Sequence, residues 1–210
     1  PLDPPAPLPP LVRGEILGEH PLSPGQEALW YLEQSTSAGG TEGVLHIAAA
    51  ARLGAGVDGA ALLRAAEALA ARHPALRTTF SDLGQRVHAG LPPDVEEVDA
   101  TGWSAVKLDA ALRREARRRL DLTRGSPLRL RLFVRPGGEQ VLLFVLHHLA
   151  GDFWSLAVLL RDWAALAGKQ PLPELPVAYT DFVRWQRALL AGPAGERLES
   201  FWLDRLRGAP

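Results

Sequence analysis

The sequence predicts an α/β fold built on a mixed β-sheet, and three observations lead there. Val141–Leu146 is an uninterrupted apolar run of strand length, followed by an amphipathic helical pattern from Phe153 to Leu166. Leu128-Arg129-Leu130-Arg131-Leu132 alternates strictly, the pattern of a half-buried strand. Between the two runs, Pro136-Gly137-Gly138 turns the chain back and pairs them as an antiparallel hairpin. Strands and helices alternate through the remaining sequence, which places that hairpin in a sheet layered with helices.

The elements follow in order. Residues 1–21 carry Pro1, Pro4, Pro5, Pro7, Pro9, Pro10 and Pro21, and read as an extended interdomain linker rather than a recognition ligand. Ser23 is suited to cap a helix with Pro24 at its first position; Ala28, Leu29 and Leu32 are its core-facing residues, and Gly39-Gly40 ends it. A β stretch is expected from Val44 to Leu53. Asp58 caps a helix through Ala71 carrying Leu62, Ala66, Leu69 and Ala70, and His73-Pro74 stops it.

Short strands are expected at Leu76–Ser81, Gln85–Ala89 and Val95–Asp99. Ser104–Leu120 reads as a helix whose outer face carries Arg113, Arg114, Arg117 and Arg118, a solvated face rather than a docking patch. The helix after Asp152 ends near Gly168, and a Pro-rich connector spans 171–176. Two more helices follow: one beyond Tyr179-Thr180-Asp181-Phe182 with Val183, Trp185, Leu189 and Leu190, and one from about Ala194 to Leu206.

Composition excludes several function classes. The chain has 210 residues, 47% hydrophobic and 22% charged, enough for a real core. A formal net charge of -1 gives no electrostatic case for nucleic acid. With no cysteine there are no disulfides, thiolate metal sites or cysteine nucleophile, which is compatible with a cytoplasmic setting. No apolar run reaches the roughly 18 residues that span a bilayer, so no membrane partner is expected. The absence of methionine, even at position 1, suggests a piece of a longer polypeptide.

Chemistry is expected at His147-His148-Leu149-Ala150-Gly151-Asp152-Phe153-Trp154-Ser155. Two histidines end a buried strand and an acid opens the next helix, the location that sites of α/β proteins favour. Imidazole is the side chain best matched to holding or moving a proton near neutral pH. Adjacent strand residues face opposite ways, so one histidine reaches an open site and the other is locked into the scaffold. The same divergence argues against a metal held by both histidines and Asp152. Asp152 reads as the helix N-cap, compatible with an ion pair to a buried arginine. No Gly-x-Ser-x-Gly elbow occurs, and Ser155 sits in a first helical turn, where serine serves the backbone. Direct acyl transfer to an incoming amine or hydroxyl fits a lone histidine better than a serine triad does.

Four segments resemble, in order, the motifs of nonribosomal peptide synthetase condensation domains. They are Ser23–Leu32, Arg72-His73-Pro74-Ala75-Leu76-Arg77-Thr78-Thr79-Phe80, the His147–Asp152 run, and Tyr179-Thr180-Asp181-Phe182-Val183-Arg184-Trp185. The likeness covers 22–210 and implies the N-terminal lobe of a chloramphenicol-acetyltransferase-like fold, a two-layer sandwich. In that family two lobes enclose a tunnel where a carrier-bound acyl or peptidyl thioester meets a carrier-bound amine. The resemblance implies no directly bound cofactor. Its substrates ride on the phosphopantetheine of donor and acceptor carrier proteins, beside the C-terminal lobe and the adjacent synthetase domains.

By the same resemblance His148 is catalytic and His147 structural, Gly151 shapes the site, and Asp152 pairs with Arg72 or Arg77. There are three departures. Pro74 replaces a glutamate. Phe153 replaces a glycine and, with Trp154 and Ser155, is expected on the acceptor side. The chain ends near the close of the first lobe, so a fragment inactive on its own is expected. A non-catalytic recruitment lobe remains the alternative, as does an ester-forming, epimerizing or coenzyme-A-dependent relative.

Overall fold

The computed structural model describes residues 8–38, 42–54 and 56–209. The chain divides into two compact units, Leu17–Leu175 and a smaller one made of Pro1–Ile16 with Pro176–Pro210. Among its described residues the larger unit holds seven strands and four α-helices. The strands are β1 (Gly18–His20), β2 (His46–Arg52), β3 (Thr78–Ser81), β4 (Gly84–Val87), β5 (Asp94–Asp99), β6 (Leu128–Val134) and β7 (Gln140–His147). The helices are α1 (Pro24–Ala38), α2 (Gly59–Arg72), α3 (Ala105–Arg117) and α4 (Phe153–Ala167).

A four-stranded sheet runs β2-β7-β6-β5, and a three-stranded sheet runs β1-β4-β3. Within the larger sheet β5 and β6 are parallel while β2–β7 and β6–β7 are antiparallel, so the sheet is mixed as the sequence predicts. The expected hairpin forms with Leu128 opposite Leu146 and Leu132 opposite Leu142. No helix among the described residues is long and apolar enough to cross a membrane.

β7 is central and apolar on both faces. Leu142, Phe144 and Leu146 join Leu128, Leu130 and Leu132 in one core with Ala66 and Leu69 of α2 and Leu159 and Trp163 of α4. Val141, Leu143 and Val145 join a second core with Trp30 of α1 and Leu108 and Ala111 of α3. Burial on both faces is why the run lacks polar alternation.

β6 departs from its predicted half-exposure: its odd positions are buried as fully as its leucines. Arg129 and Arg131 are each 2% exposed. Arg129 Nε donates to Asp94 Oδ2 at 2.8 Å and Arg131 Nη2 to Asp94 Oδ1 at 2.7 Å. Arg129 Nη2 also donates to the Arg119 carbonyl at 2.9 Å, just past the end of α3. Carbonyls left open at a helix end attract a cation, so the arginines are paired rather than solvated.

The cap at Asp58 forms as read, accepting the Ala61 amide at 2.9 Å, and Ser104 caps α3 by accepting the Lys107 amide at 3.2 Å. The strand expected from Leu76 begins only at Thr78. Pro74, whose fixed φ suits a helical turn, opens a single 3₁₀ turn over Pro74–Arg77 instead.

The described part of the proline-rich segment makes specific contacts. Gly18–His20 is a strand paired with β4. In the smaller unit, which carries α5 (Tyr179–Leu190) and α6 (Pro193–Arg205), the Gly14 amide donates to Asp181 Oδ1 at 2.9 Å. Trp185 Nε1 donates to the Pro9 carbonyl at 2.7 Å. Asp181 Oδ2 also accepts the Ala178 amide at 2.7 Å, which caps α5 and explains the aspartate of the Tyr-x-Asp-Phe-x-x-Trp motif. Residues 1–7 and the expected helix end at Gly39-Gly40 lie outside the described residues.

The end of α2 is pinned to α4 by one carboxylate. Asp162, fully buried, accepts from Arg72 Nε at 2.8 Å, pairs with His73 Nε2 at 3.0 Å, and accepts from Arg161 Nη2 at 2.8 Å. Burial alone pushes this carboxyl up, but the hydrogen bonds from Arg72, Arg161 and His73 outweigh it and hold the pKa at about 2. Its charge therefore stabilises the fold fully above pH 3.8 and is lost as pH falls toward about 2. Asp162→Ala leaves a largely buried guanidinium without its partner and is expected to cost about 3 kcal/mol. Urea unfolding at neutral pH measures it, and a loss below about 1 kcal/mol would show that this cluster does not anchor α2 to α4.

Candidate active site

The site begins with the start of α1. Ser23 Oγ accepts the Gln26 amide at 3.1 Å and Gln26 Oε1 accepts the Ser23 amide at 3.0 Å, a reciprocal capping box with Pro24 at the first helical position. The buried face of the helix is not the predicted one. Ala28 and Leu32 are exposed and Leu29 is half-buried, whereas Gln26, Trp30 and Glu33 point inward. The spacing is helical but two of the three residues are polar, so a search for apolar periodicity passes over them.

Those polar residues hold the histidine segment. Gln26 Nε2 donates to the Leu149 carbonyl at 3.0 Å. Gln85 on β4 donates from Nε2 to Gln26 Oε1 at 3.0 Å and to the Pro21 carbonyl at 2.9 Å. Glu33 Oε2 lies 3.2 Å from His147 Nε2. The sequence motifs single out none of Gln26, Glu33 and Gln85 as a site residue.

At its end β7 bonds alternately to its two sides. The His147 amide donates to Pro127 O and the His148 amide to Leu45 O, each at 2.9 Å. The two side chains diverge accordingly. His147, 1% exposed, turns toward α1 and stacks edge-on against His46 with ring centroids 5.5 Å apart. His148 is half-buried in the turn that follows the strand.

The hydrogen bonds fix both tautomers. The Leu149 amide donates to His147 Nδ1 at 3.2 Å, so that nitrogen carries a lone pair and Nε2 carries the proton given to Glu33. His148 Nδ1 lies 3.0 Å from the Gly151 carbonyl, which can only accept. His148 is therefore protonated at Nδ1 and, when neutral, leaves the lone pair on Nε2. Among the described residues Nε2 has no hydrogen-bond partner. The arrangement anchors one ring nitrogen and leaves the other as a hydrogen-bond acceptor.

The turn is tight because Gly151 has no side chain. A Cβ there would lie 2.8 Å from Ser155 Cβ and 3.1 Å from Leu146 Cδ2. Asp152 then caps α4, its Oδ1 accepting the Ser155 amide at 2.8 Å and the Ser155 hydroxyl at 2.7 Å. The Ser155 amide, then its hydroxyl, and also the nearby charge of His148 hold the Asp152 carboxyl below its ordinary value. The Ser155 proton thus goes to Asp152.

The expected pairing of Asp152 with Arg72 or Arg77 does not form. Arg72 binds Asp162, and Arg77 donates through Nη1 to the His88 carbonyl. The reason is geometric: Arg72 ends α2 against the middle of α4, far along that helix from the Asp152 cap. Phe153 and Trp154, on the first turn of α4, stand 77% and 81% exposed. A cavity of ≈ 450 Å³ lies beside Glu33, walled by Trp30, Leu120 and Leu122, and its lining includes no residue of the histidine turn.

Comparison with known proteins agrees with this architecture. A family model described as Condensation domain matches residues 16–210. The isonitrile lipopeptide synthase of Mycobacterium tuberculosis is 35% identical over 221 residues, covering 96% of this chain and 9% of that protein. The phosphinothricin tripeptide synthetase PhsC of Streptomyces viridochromogenes is 34% identical over 207 residues, covering 92% of this chain and 19% of that protein. Among solved structures, the X-domain in its complex with OxyB from teicoplanin biosynthesis superposes with a TM-score of 0.84 at 30% identity. That match covers 98% of this chain and 47% of the X-domain chain. The chain thus spans a small fraction of its curated relatives and about half of this structural neighbour.

Protonation of the inner histidines should weaken the fold. Burial, foremost, lowers the pKa of His46, with the neighbouring His147 and Arg129 adding to it against the Ala116 carbonyl that accepts from its Nδ1 at 2.9 Å. Burial likewise lowers that of His73 despite Asp162. The unfolded chain therefore takes up these protons first: stability is complete above pH 6.5 and falls as pH drops through the depressed folded values. The urea midpoint should fall between pH 7.5 and pH 5.5, and His46→Gln should flatten that decline. An unchanged slope in His46→Gln would remove His46 from the account.

Proposed function

The chain belongs to the condensation-domain family, and from that premise we propose that it supplies the histidine lobe of an amide-forming acyltransferase. The donor is an acyl or peptidyl thioester and the acceptor an amine, each carried on the phosphopantetheine of a partner carrier protein. His148 acts on the acceptor. Its Nε2 takes a proton from the amine as the amine nitrogen attacks the thioester carbonyl carbon. The C–S bond then breaks, and the proton passes to the departing thiolate. Atoms balance as one amide and one free thiol.

One observation carries this reading. The Nδ1–H bond to Gly151 O leaves the basic lone pair of half-buried His148 on Nε2. His147, Gly151 and Asp152 shape that turn, whereas Arg72 and Arg77 act only on the scaffold around α2 and β3. Phe153 and Trp154 lie on the acceptor side of the same turn. The working enzyme includes a second, C-terminal lobe and the adjacent synthetase domains.

In the full-length protein His148→Ala is expected to reduce product from a carrier-bound pair by about 10²–10⁴-fold, the usual contribution of general acid–base catalysis. Mass spectrometry of the carrier-bound product reads it. Product formation within twofold of the parent would remove His148 from the chemistry.

A recruitment role is the second reading, and two observations favour it. The X-domain superposes over nearly the whole chain and is known in complex with OxyB. Phe153, where glycine is usual, and Trp154 also project from the surface. On this reading the aromatic pair grips a partner protein. Full-length protein carrying both Phe153→Ser and Trp154→Ser should then lose association in titration calorimetry while His148→Ala keeps it. Unchanged association in the double variant would remove the recruitment reading.

A further inference from the structure

We propose that Glu33 and Gln26, two turns apart on the inner face of α1, are positioning residues that aim His148 by clamping the turn on either side of it. The proposal rests on the catalytic reading of His148 given above. Glu33 accepts the Nε2 proton of His147 at 3.2 Å, which leaves His147 Nδ1 as the acceptor for the Leu149 amide at 3.2 Å. Gln26 donates to the Leu149 carbonyl at 3.0 Å. Both polar groups of the Leu149 backbone are thereby fixed from one helix, one directly and one through His147. His148 lies between the two clamped residues and has its own ring tied to Gly151.

Three independent features single this out from ordinary core packing. Gln26 and Glu33 are buried polar groups in a face that would otherwise be apolar, where an unmatched partner costs about 1–3 kcal/mol. Gln26 serves the capping box through its oxygen and the turn through its nitrogen, so the start of α1 and the catalytic turn share one side chain. Gln85 in turn donates to the Gln26 oxygen, which fixes the orientation of that amide. The chain therefore couples the register of α1 to the tautomer and aim of the histidine.

Three substitutions separate this from a merely structural role. Glu33→Leu removes the acceptor for His147, while Glu33→Gln keeps an oxygen there and should rescue. Gln26→Glu keeps the oxygen that accepts the Ser23 amide but sets a carboxylate against the Leu149 carbonyl, so the cap persists and the clamp fails. The readouts are ¹⁵N imidazole spectra of the full chain and the pH profile of kcat for the full-length protein with a carrier-bound pair.

Glu33→Leu and Gln26→Glu are expected to lower kcat at least tenfold with the acceptor KM within about twofold. They should also replace the single Nδ1–H signature of His148 by a mixture of tautomers. Glu33→Gln should stay within about threefold of the parent and keep the single signature. Folded variants, judged by far-ultraviolet circular dichroism, that keep both kcat and the Nδ1–H signature would overturn the proposal. If Glu33→Leu does not fold, Gln26→Glu decides alone. The spectra do not depend on turnover, so an intact tautomer in Gln26→Glu refutes the clamp, whereas an active His148→Ala refutes the catalytic reading.

Discussion

The arrangement of the larger unit depends on one constraint: β7 is covered on both faces, and it ends at the first of the two histidines. Because Val145 and His147 share a face with α1 and α3 while Leu146 lies against α2 and α4, the strand sends its two terminal imidazoles in opposite directions. One is sealed into the α1 side. The other emerges where α4 begins. A longer strand would bury both, and a shorter one would free both.

Charge placement around that strand follows the same logic of completed hydrogen bonding. Arg129 and Arg131 are tolerable inside because Asp94 and the carbonyls beyond α3 satisfy them. Asp162 is tolerable because three donors surround it. His147 is tolerable because one of its nitrogens accepts from a backbone amide and the other gives its proton to Glu33. Arg129, Arg131, Asp162 and His147 each meet at least one partner from a different element, so these groups also fix how the elements dock.

Much of this is legible in the sequence. The capping signals at Ser23, Asp58 and Asp152 are local, and each cap forms where the residue types require it. The β6–β7 hairpin is readable because a turn and two strand runs are contiguous. The opposite facing of the two histidines is readable from strand alternation alone. The failures share a cause. The Leu-Arg alternation of β6 reads as one wet face because a single strand does not reveal Asp94 or the end of α3 above it. The inner face of α1 escapes a reading of apolar spacing because Gln26 and Glu33 meet polar partners there. The partner of Asp152 escapes as well, because motif order does not say that Arg72 meets α4 at Asp162.

The contacts that hold the histidine turn also set when it can form. The β6–β7 hairpin closes over a short turn, but Glu33 meets His147 across 114 residues of chain and Gln26 meets Leu149 across 123. Loop closure on that scale gives nothing back until both ends have arrived, and such contacts slow folding relative to local ones. During synthesis α1 leaves the ribosome long before the strand it serves. Its polar inner face waits hydrated, without its partners, until β7 emerges, so the geometry of the turn is a late product of the folding pathway.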